Sequence, residues 1–213
     1  MEKRETNLIK HTKYIYEYEN ALDDQTCDRI RNSLSEAFES NVEPDIPYME
    51  HDARKNNAWI LSGHRDNKTV SEINDFLEPF GYDMLRKYHK DCPLIDKYAS
   101  TTNKIFSKMV YRSYHKNDRY DWHIDGSNTM SLYVSILLYL NDDFDGGDTI
   151  FLNDKLRVKP KKGSLLVFPC GPYFVHKSTP IKSGNKCVIW DCYGTMADFL
   201  VHAMSAMSEA RDK

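Results

Sequence analysis

The stretch LYVSILLYLNDDFDGGDTIF, residues 132–151, contains the pattern that decides the fold. Its first nine residues are almost continuously apolar and rich in β-formers, which predicts a central, buried strand. The polar run NDDFDGGD is a turn signal, and TIF then begins another short strand. Downstream, LRVKP, SLLVFP and KCVIWDCY are further short strands separated by turns, and upstream FSKMVYRSY alternates like a half-buried strand. This succession predicts a β-sandwich or jelly roll.

The first half of the chain has a different pattern. Residues 1–104 are charged and mostly helix-like. Apolar residues spaced four apart predict a helix over residues 23–38, and a second is expected over 69–88, broken in two near Pro79 and Gly81. Residues 41–67 are polar and contain proline, so we expect a loop with at most a short strand. The tail, residues 194–213, has the pattern of a closing amphipathic helix.

Length and composition bound the class of protein. The chain has 213 residues, which favours one domain over residues 1–213, with a helical support (1–104), a β core (105–193) and the closing helix. Its 29 basic and 32 acidic residues give a net charge of −3, so a nucleic-acid partner is not expected. No signal peptide and no membrane-spanning run is found, and the five cysteines form no CxxC motif. We therefore expect a cytoplasmic protein with reduced thiols and no membrane partner.

The segment YDWHIDGS, residues 120–127, carries the first chemical signal. His123 and Asp125 are two residues apart, and on a strand such residues point to the same face. His176 follows the strand SLLVFP, 51 residues after Asp125. Two histidines and one carboxylate on one face form the facial triad of non-haem Fe(II) oxygenases. Zinc hydrolases use similar ligands, so the triad alone does not choose the metal.

Lys186 lies ten residues after His176, beyond Pro180 and Gly184. If the strand after Gly184 runs antiparallel beside the His176 strand, Lys186 points into the same barrel. A buried lysine needs an anionic partner, and the carboxylate of a small co-substrate would supply one. The spacing fits a solvent-facing lysine equally well.

Four ordered blocks of this sequence resemble a known family. YDWHIDGS, LLYLNDDFDGGDTIF, VKPKKGSLLVFP and HKSTPIKSGNK are similar to consecutive blocks of the Fe(II)/2-oxoglutarate-dependent dioxygenases, and within them to the prolyl 4-hydroxylase-like group. The resemblance covers roughly residues 111–193. It implies a mainly β fold with supporting helices (α+β), in which a double-stranded β-helix (jelly roll) core follows the helical N-terminal support.

The resemblance also implies the site residues. The catalytic metal ligands would be His123, Asp125 and His176, holding Fe(II). The residues that bind 2-oxoglutarate would be Lys186, Tyr139 and Tyr114. Tyr120 and Trp190 would contact the substrate, although core packing explains Tyr114, Tyr120 and Trp190 as well. Thr149 could face the co-substrate or satisfy its turn, and the turn is favoured. Trp122 is expected to point away from the metal.

The activity implied is hydroxylation of an unactivated C–H bond with O2 and 2-oxoglutarate, releasing succinate and CO2, with ascorbate as reductant. A prolyl residue of a protein or peptide is the preferred substrate, because the blocks match the prolyl 4-hydroxylase-like group. Two departures favour a free amino acid or other small metabolite instead. HKND replaces the glycine-rich segment expected after Tyr114, and apolar residues near Leu132 replace an arginine of peptide-hydroxylating members. A non-catalytic binding module is disfavoured because the triad is complete, and the oligomeric state stays open.

Overall fold

The computed structural model describes residues 5–39, 42–46, 54–93, 109–125 and 131–195. Within them, the helices are α1 (Asp24–Phe38) and α2 (Lys68–Asp91). The strands of the first half are β1 (Asn7–Lys10), β2 (Tyr16–Glu19), β3 (Arg54–Lys55) and β4 (Asn57–Ile60). Those of the second half are β5 (Val110–Tyr114), β6 (Arg119–His123), β7 (Ser131–Tyr139), β8 (Asp145–Gly146), β9 (Thr149–Phe151), β10 (Leu156–Val158), β11 (Leu165–Pro169), β12 (His176–Ser178), β13 (Ile181–Ser183) and β14 (Lys186–Thr195).

The described strands form two large antiparallel sheets and one two-stranded sheet. The seven-stranded sheet has the order β1-β2-β11-β7-β14-β5-β4, and the five-stranded sheet has the order β10-β9-β12-β6-β3. β13 pairs with β8. Side chains of the two large sheets meet in an inner core that includes Tyr114, Tyr139 and Val188 from one sheet and Phe151 and Val158 from the other. This is the predicted packing of one sheet on another.

The apolar nine-residue run becomes β7, the central strand of the larger sheet, as predicted. It pairs with β11 on one side and β14 on the other. β5, by contrast, is buried along its whole length instead of half-buried. The reason is that β5 is covered on both faces, by the helical layer through Tyr111 and by the inner core through Tyr114.

The helix predicted over residues 23–38 is confirmed. α1 begins after Asp23, whose carboxylate accepts a hydrogen bond from the backbone N–H of Thr26 at 2.9 Å. This is a standard N-cap. Cys27, Ile30 and Leu34 lie on its buried face, at helical spacing, against the seven-stranded sheet.

The second helix is longer than predicted and unbroken. α2 passes through both Pro79 and Gly81. Pro79 removes one backbone donor, but it is exposed, as is Asp75, whose carbonyl loses that donor and can bond to water instead. Gly81 is required by a close approach, because a Cβ there would overlap the hydroxyl oxygen of Tyr193 on β14.

The first half is less purely helical than predicted. β1 and β2 extend the seven-stranded sheet at one edge, and β4 closes the other edge by pairing with β5. β4 lies within residues 41–67, where a loop with at most a short strand was expected. Although this range is mostly polar, β4 contains the buried Trp59, whose ring stacks on those of Phe38 and Tyr111 with centroids 5.3 and 5.8 Å apart.

The remaining sequence predictions concern the closing helix, the cysteines and membrane-spanning segments. The closing helix lies outside the described residues, apart from the end of β14 at Thr195. All five cysteines fall inside them and are free thiols. Neither of the described helices is long and apolar enough to cross a membrane.

Candidate active site

His123, Asp125 and His176 come together at one end of the space between the two large sheets. His123 ends β6 and His176 begins β12, and the two residues are directly paired across these strands. Asp125 was expected on the same strand as His123, but β6 ends at His123 and Asp125 lies just beyond it. Nε2 of His123 is 3.6 Å from Oδ1 of Asp125, and Nε2 of His176 is 3.7 Å from Oδ2.

Hydrogen bonds fix both imidazole rings. Nδ1 of His123 is 2.8 Å from the carbonyl of Asp121, and Nδ1 of His176 is 3.1 Å from the carbonyl of Phe174. Because a carbonyl can only accept, each Nδ1 carries the proton and each Nε2 presents its lone pair. Metal-bound histidines are usually oriented in this way. The three candidate ligand atoms lie within 4.8 Å of one another, so this donor set fits one divalent metal ion.

Burial and charge leave these groups in the protonation states that a metal requires. Burial lowers the pKa of His123 to about 4, and the neighbouring His176 acts in the same direction. Burial alone would raise the pKa of Asp125, but His176, His123 and hydrogen bonds outweigh that effect and lower the pKa below its usual range. At neutral pH the site therefore offers neutral His123 and an ionised carboxylate.

A small network holds the Asp125 carboxylate. The hydroxyl of Ser135 on β7 donates to its Oδ2 at 2.6 Å. The indole N–H of Trp190 on β14 lies 2.8 Å from the Ser135 hydroxyl and 3.3 Å from the same carboxylate oxygen. Two strands of the seven-stranded sheet thus orient a group that belongs to the end of the five-stranded one.

The three residues open into a small cavity between the sheets. β14 forms part of the cavity wall. Lys186, Val188 and Trp190 line the cavity, whereas Cys187 and Ile189 face the helical layer. This is the two-residue period of a strand.

Lys186 reaches the cavity from an unexpected direction. It lies on β14, which pairs with β5 and β7 and not with the His176 strand. Its side chain nevertheless points inward and is only 2% exposed. Nζ donates to the carbonyl of Gly147 at 2.7 Å and to the hydroxyl of Ser178 at 3.1 Å. No carboxylate among the described residues pairs with it, and burial lowers its pKa to about 7.

The aromatic residues named by the sequence surround these groups. Nζ of Lys186 lies 5.1 Å from the ring centre of Tyr114 and 5.5 Å from that of Tyr139. Tyr114 lines the cavity, but the hydroxyl of Tyr139 lies behind it, 2.9 Å from the hydroxyl of Thr149. Thr149 itself belongs to β9 and lines the cavity, so its position agrees with the alternative that it faces the cavity and not with the favoured turn.

Tyr120 and Trp190 also line the cavity, beside the candidate ligands. The Tyr120 ring is stacked on the His123 ring, with centroids 3.5 Å apart. Trp122, the residue before His123 on β6, points outward and is 38% exposed, as expected. Tyr120 and Trp190 therefore lie beside the candidate metal ligands, while their contact with a substrate stays a prediction.

Sequence reasoning missed Arg112, Ser135 and Ser178. Arg112 and Ser178 line the cavity, and Ser135 holds Asp125. Arg112 and Ser135 did leave a signal, since Arg112 is the charged residue of the segment MVYRSY and Ser135 is the lone serine within the apolar run LYVSILLYL. Such a residue has to be explained by a partner or a ligand.

The comparison with protein families now adds an independent observation. Residues 109–192, which span β5 to β14 and include all three candidate ligands, match the family model described as the 2OG-Fe(II) oxygenase superfamily. This region of the chain is similar to that superfamily. The match also selects iron over zinc as the metal that the site is expected to hold, a choice that the three ligands alone leave open.

Relatives and solved structures place it near prolyl hydroxylases. It is 33% identical over 88 residues to a putative prolyl 4-hydroxylase of Acanthamoeba polyphaga mimivirus, covering 34% of this chain and 36% of that protein. It is 37% identical over 134 residues to mouse prolyl 3-hydroxylase 2, covering 61% of this chain and 14% of that protein. The chain therefore spans about a third of the first relative and a seventh of the second.

A crystal structure of the viral collagen prolyl hydroxylase of Paramecium bursaria Chlorella virus-1, in complex with 2OG, shares the fold. The TM-score is 0.60 at 17% identity, over 86% of this chain and 97% of that one. The predicted fold, a double-stranded β-helix with supporting helices, is thus confirmed.

Proposed function

We propose that this oxygenase hydroxylates a prolyl residue of a protein or peptide, using Fe(II), O2 and 2-oxoglutarate. One oxygen atom enters the C–H bond of the substrate and the other enters succinate, while 2-oxoglutarate loses CO2. One observation carries the proposal. His123, Asp125 and His176 share a single cavity with Lys186, a buried cation that lacks a carboxylate partner among the described residues.

The residues present fit a bound Fe(II). His123 and His176 would ligate it through Nε2, and Asp125 through its carboxylate. Three ligands on one face leave the remaining coordination positions for 2-oxoglutarate and oxygen, and the metal supplies the redox chemistry when bound. Ser135 and Trp190 keep the Asp125 carboxylate oriented, which limits the reorganisation needed for metal binding.

Lys186 is suited to hold the far carboxylate of 2-oxoglutarate. The cation is buried, and its nearest polar partners, the Gly147 carbonyl and the Ser178 hydroxyl, do not neutralise its charge. A carboxylate beside Nζ would supply that charge and hold Lys186 in its protonated form. The chain thereby orients the co-substrate along the cavity, between the metal ligands at one end and Lys186 at the other.

The surface around the cavity favours a protein or peptide as the substrate. Trp122 and Ile124 flank His123 in the sequence and are 38% and 47% exposed, and Tyr173, three residues before His176, is 85% exposed. Exposed large apolar residues around a cleft are typical of a surface that contacts another chain. The relatives named as prolyl hydroxylases favour proline as the target residue.

A mass-spectrometric assay tests the proposal. The purified protein is supplied with Fe(II), 2-oxoglutarate and O2, with and without ascorbate, and offered proline-containing peptides and, separately, free amino acids. We expect one oxygen atom to be added at proline, equimolar succinate, and more turnovers with ascorbate as reductant. His176→Ala should abolish both products, whereas His64→Ala, a histidine paired with Asp45 outside the cavity, should not.

Three other outcomes have definite meanings. Oxygen gain only on a free amino acid would replace the peptide substrate by a small metabolite. Succinate and hydroxylated product that persist in His176→Ala would contradict the metal site. An absence of both products in the wild-type protein, with every substrate offered, would contradict the proposed activity.

A further inference from the structure

Arg112 is a buried cation in the same cavity that the reaction described above does not use. It lies in the middle of β5, opposite Val188 of β14, and is 6% exposed. Its side chain lines the cavity together with Tyr120 and Trp190. The guanidinium carbon is 5.1 Å from the Trp190 ring centre and 5.7 Å from that of Tyr120. The two rings therefore hold the guanidinium in place.

Within the described part of the chain, this guanidinium has no carboxylate partner. Its Nη1 is buried and has no hydrogen-bond partner there. Other arginines of the described residues do pair with aspartates, among them Arg31, Arg65, Arg119 and Arg157. Arginine stays protonated at any physiological pH, so Arg112 cannot relieve its burial by losing a proton. An unpaired buried charge destabilises the folded protein, which calls for a ligand that offsets it.

The position of Arg112 separates it from the 2-oxoglutarate site. Lys186 pairs with Tyr114 across the sheet, whereas the Arg112 side chain is directed to Trp190, four residues beyond Lys186 on β14. Arg112 itself is paired with Val188, two residues from Lys186, which corresponds to roughly 7 Å along the strand. The two cations therefore occupy different positions along the wall, and the Arg112 side chain extends to the side of Trp190.

Arg112 is also close to the candidate metal ligands. Tyr120, one of its two aromatic neighbours, is stacked on His123, and Trp190, the other, is hydrogen-bonded towards Asp125. A group bound by Arg112 would thus be separated from the candidate metal ligands by only one aromatic side chain. A carboxylate fits best, because the planar guanidinium can donate two parallel hydrogen bonds to it.

We propose that Arg112 is a specificity residue that binds a carboxylate of the substrate next to the carbon that is hydroxylated. The inference rests on the proposed function and narrows its substrate class to carboxylate-bearing molecules. Two sources share this chemistry: an acidic side chain near the target proline, and the free α-carboxylate of a C-terminal or free amino acid.

Pairs of probes that differ only in one carboxylate isolate its contribution to substrate use. One series of proline peptides carries Glu or Gln at each of the three positions on either side of proline. A second series compares free with amidated C-termini, and a third compares L-proline with L-prolinamide. Wild-type protein should use the carboxylate member of at least one pair with the higher kcat/KM, and the pair that responds identifies the source.

Substitution of Arg112 tests which residue makes that choice. Arg112→Gln should lower kcat/KM for the preferred probe by about tenfold to a hundredfold, as expected for a hydrogen-bonded charge. The neutral member of the pair and the KM for 2-oxoglutarate should stay within about twofold of wild type. Arg112→Lys keeps the charge but not the fork, and should restore only part of the preference. Arg86→Gln, an exposed arginine of α2, is the matched control.

Two measurements without turnover keep the outcomes distinct. By calorimetry, the preferred probe should bind wild type more tightly than Arg112→Gln. The melting temperature of unliganded Arg112→Met should equal or exceed that of wild type, whereas an arginine with a purely structural role would lower it. Equal use and equal binding of both members of every pair would overturn the inference while leaving the hydroxylase activity in place. A rise in the 2-oxoglutarate KM with no change in probe preference would overturn it too. If no probe is hydroxylated, the proposed function fails, and calorimetry alone decides for Arg112.

Discussion

The two faces of the seven-stranded sheet bury different kinds of side chain. The outer face packs on α1 and α2 through a mostly apolar cluster that includes Leu34 of α1 and Leu138 and Ile189 of the sheet. The inner face carries the buried cations Arg112 and Lys186, opposite the candidate metal ligands of the other sheet. A single strand, β14, presents both environments in alternation.

This difference separates stability from chemistry. Burial of apolar surface on the outer face stabilises the folded chain. The buried cations of the inner face oppose folding, because they are removed from water and no carboxylate of the described residues forms an ion pair with them. We therefore expect substitutions on the outer face to change the free energy of unfolding, and substitutions on the inner face to change turnover with little loss of stability.

The largest effect is expected from Asp125→Ala. Removal of the carboxylate deletes one of three candidate ligands, so succinate formation should fall by at least about a thousandfold. The melting temperature should change little, because Ser135 and Trp190 retain their hydrogen bond to each other. Succinate assays and thermal melts check both parts. Ser135 only orients Asp125, so Ser135→Ala should reduce turnover by the smaller factor of about 10–100.

The opposite result is expected for Leu34→Ala on the outer face. Leu34 is fully buried in α1, and its truncation should lower the free energy of unfolding by about 2–5 kcal/mol. Urea unfolding measures this loss. Turnover per folded molecule should stay at the wild-type value. A fall in turnover as large as that of Asp125→Ala would break the separation between the two faces.

Lys186→Met should have an intermediate effect. Loss of the cation removes the partner of the far carboxylate, so the KM for 2-oxoglutarate should rise by about tenfold to a hundredfold. Because an unpaired buried charge is also removed, the free energy of unfolding of the unliganded protein should not fall. Steady-state kinetics and urea unfolding test the two parts. An unchanged KM would mean that 2-oxoglutarate is anchored elsewhere.

The smallest effect is a proton count. Burial lowers the pKa of Lys186 to about 7, so at pH 8 most of the unliganded protein has a neutral Lys186. Binding of 2-oxoglutarate should raise that pKa and take up about one proton per chain. Anaerobic calorimetry of the Fe(II)-loaded protein in buffers of different ionisation enthalpy measures the uptake. Lys186→Met should show none.

The same shift makes stability depend on pH. In the unfolded chain Lys186 keeps its proton up to about pH 10.4, whereas in the folded chain it loses the proton near the lowered value. Between these limits the unfolded state binds more protons, so the contribution of Lys186 to the free energy of unfolding grows as pH rises. It is lost again as pH falls through about 7. Subtraction of the Lys186→Met profile from that of wild type isolates this contribution.

The sequence predicted the parts of the fold that follow local periodicity. β7 and α1 have unambiguous apolar patterns, and both elements form where expected. Residues 41–67 were expected to contain at most a short strand, and the position of β4 within them was not predicted because it depends on tertiary contacts of Trp59, which no local pattern reveals. The unbroken α2 was missed because the exposure of Pro79 and the close packing of Gly81 depend on the rest of the fold.

The site divides in the same way. His123, Asp125 and His176 stand out by residue type and spacing, and the structure brings them together. The predicted position of Lys186, on a strand beside that of His176, was wrong. Strand pairing determines this position, and sequence spacing does not reveal the pairing. Arg112 and Ser135 were overlooked because their roles come from neighbours on other strands, Trp190 above all.

Metal binding tests the central claim about the inner face most directly. Mn(II), a redox-stable substitute for Fe(II), is titrated into the metal-free protein and followed by calorimetry and electron paramagnetic resonance. The account predicts one bound ion per chain in wild type and in His64→Ala, displaced by Fe(II), and no comparable binding in His176→Ala. Binding that is absent from wild type, or that persists unchanged in His176→Ala, would contradict it.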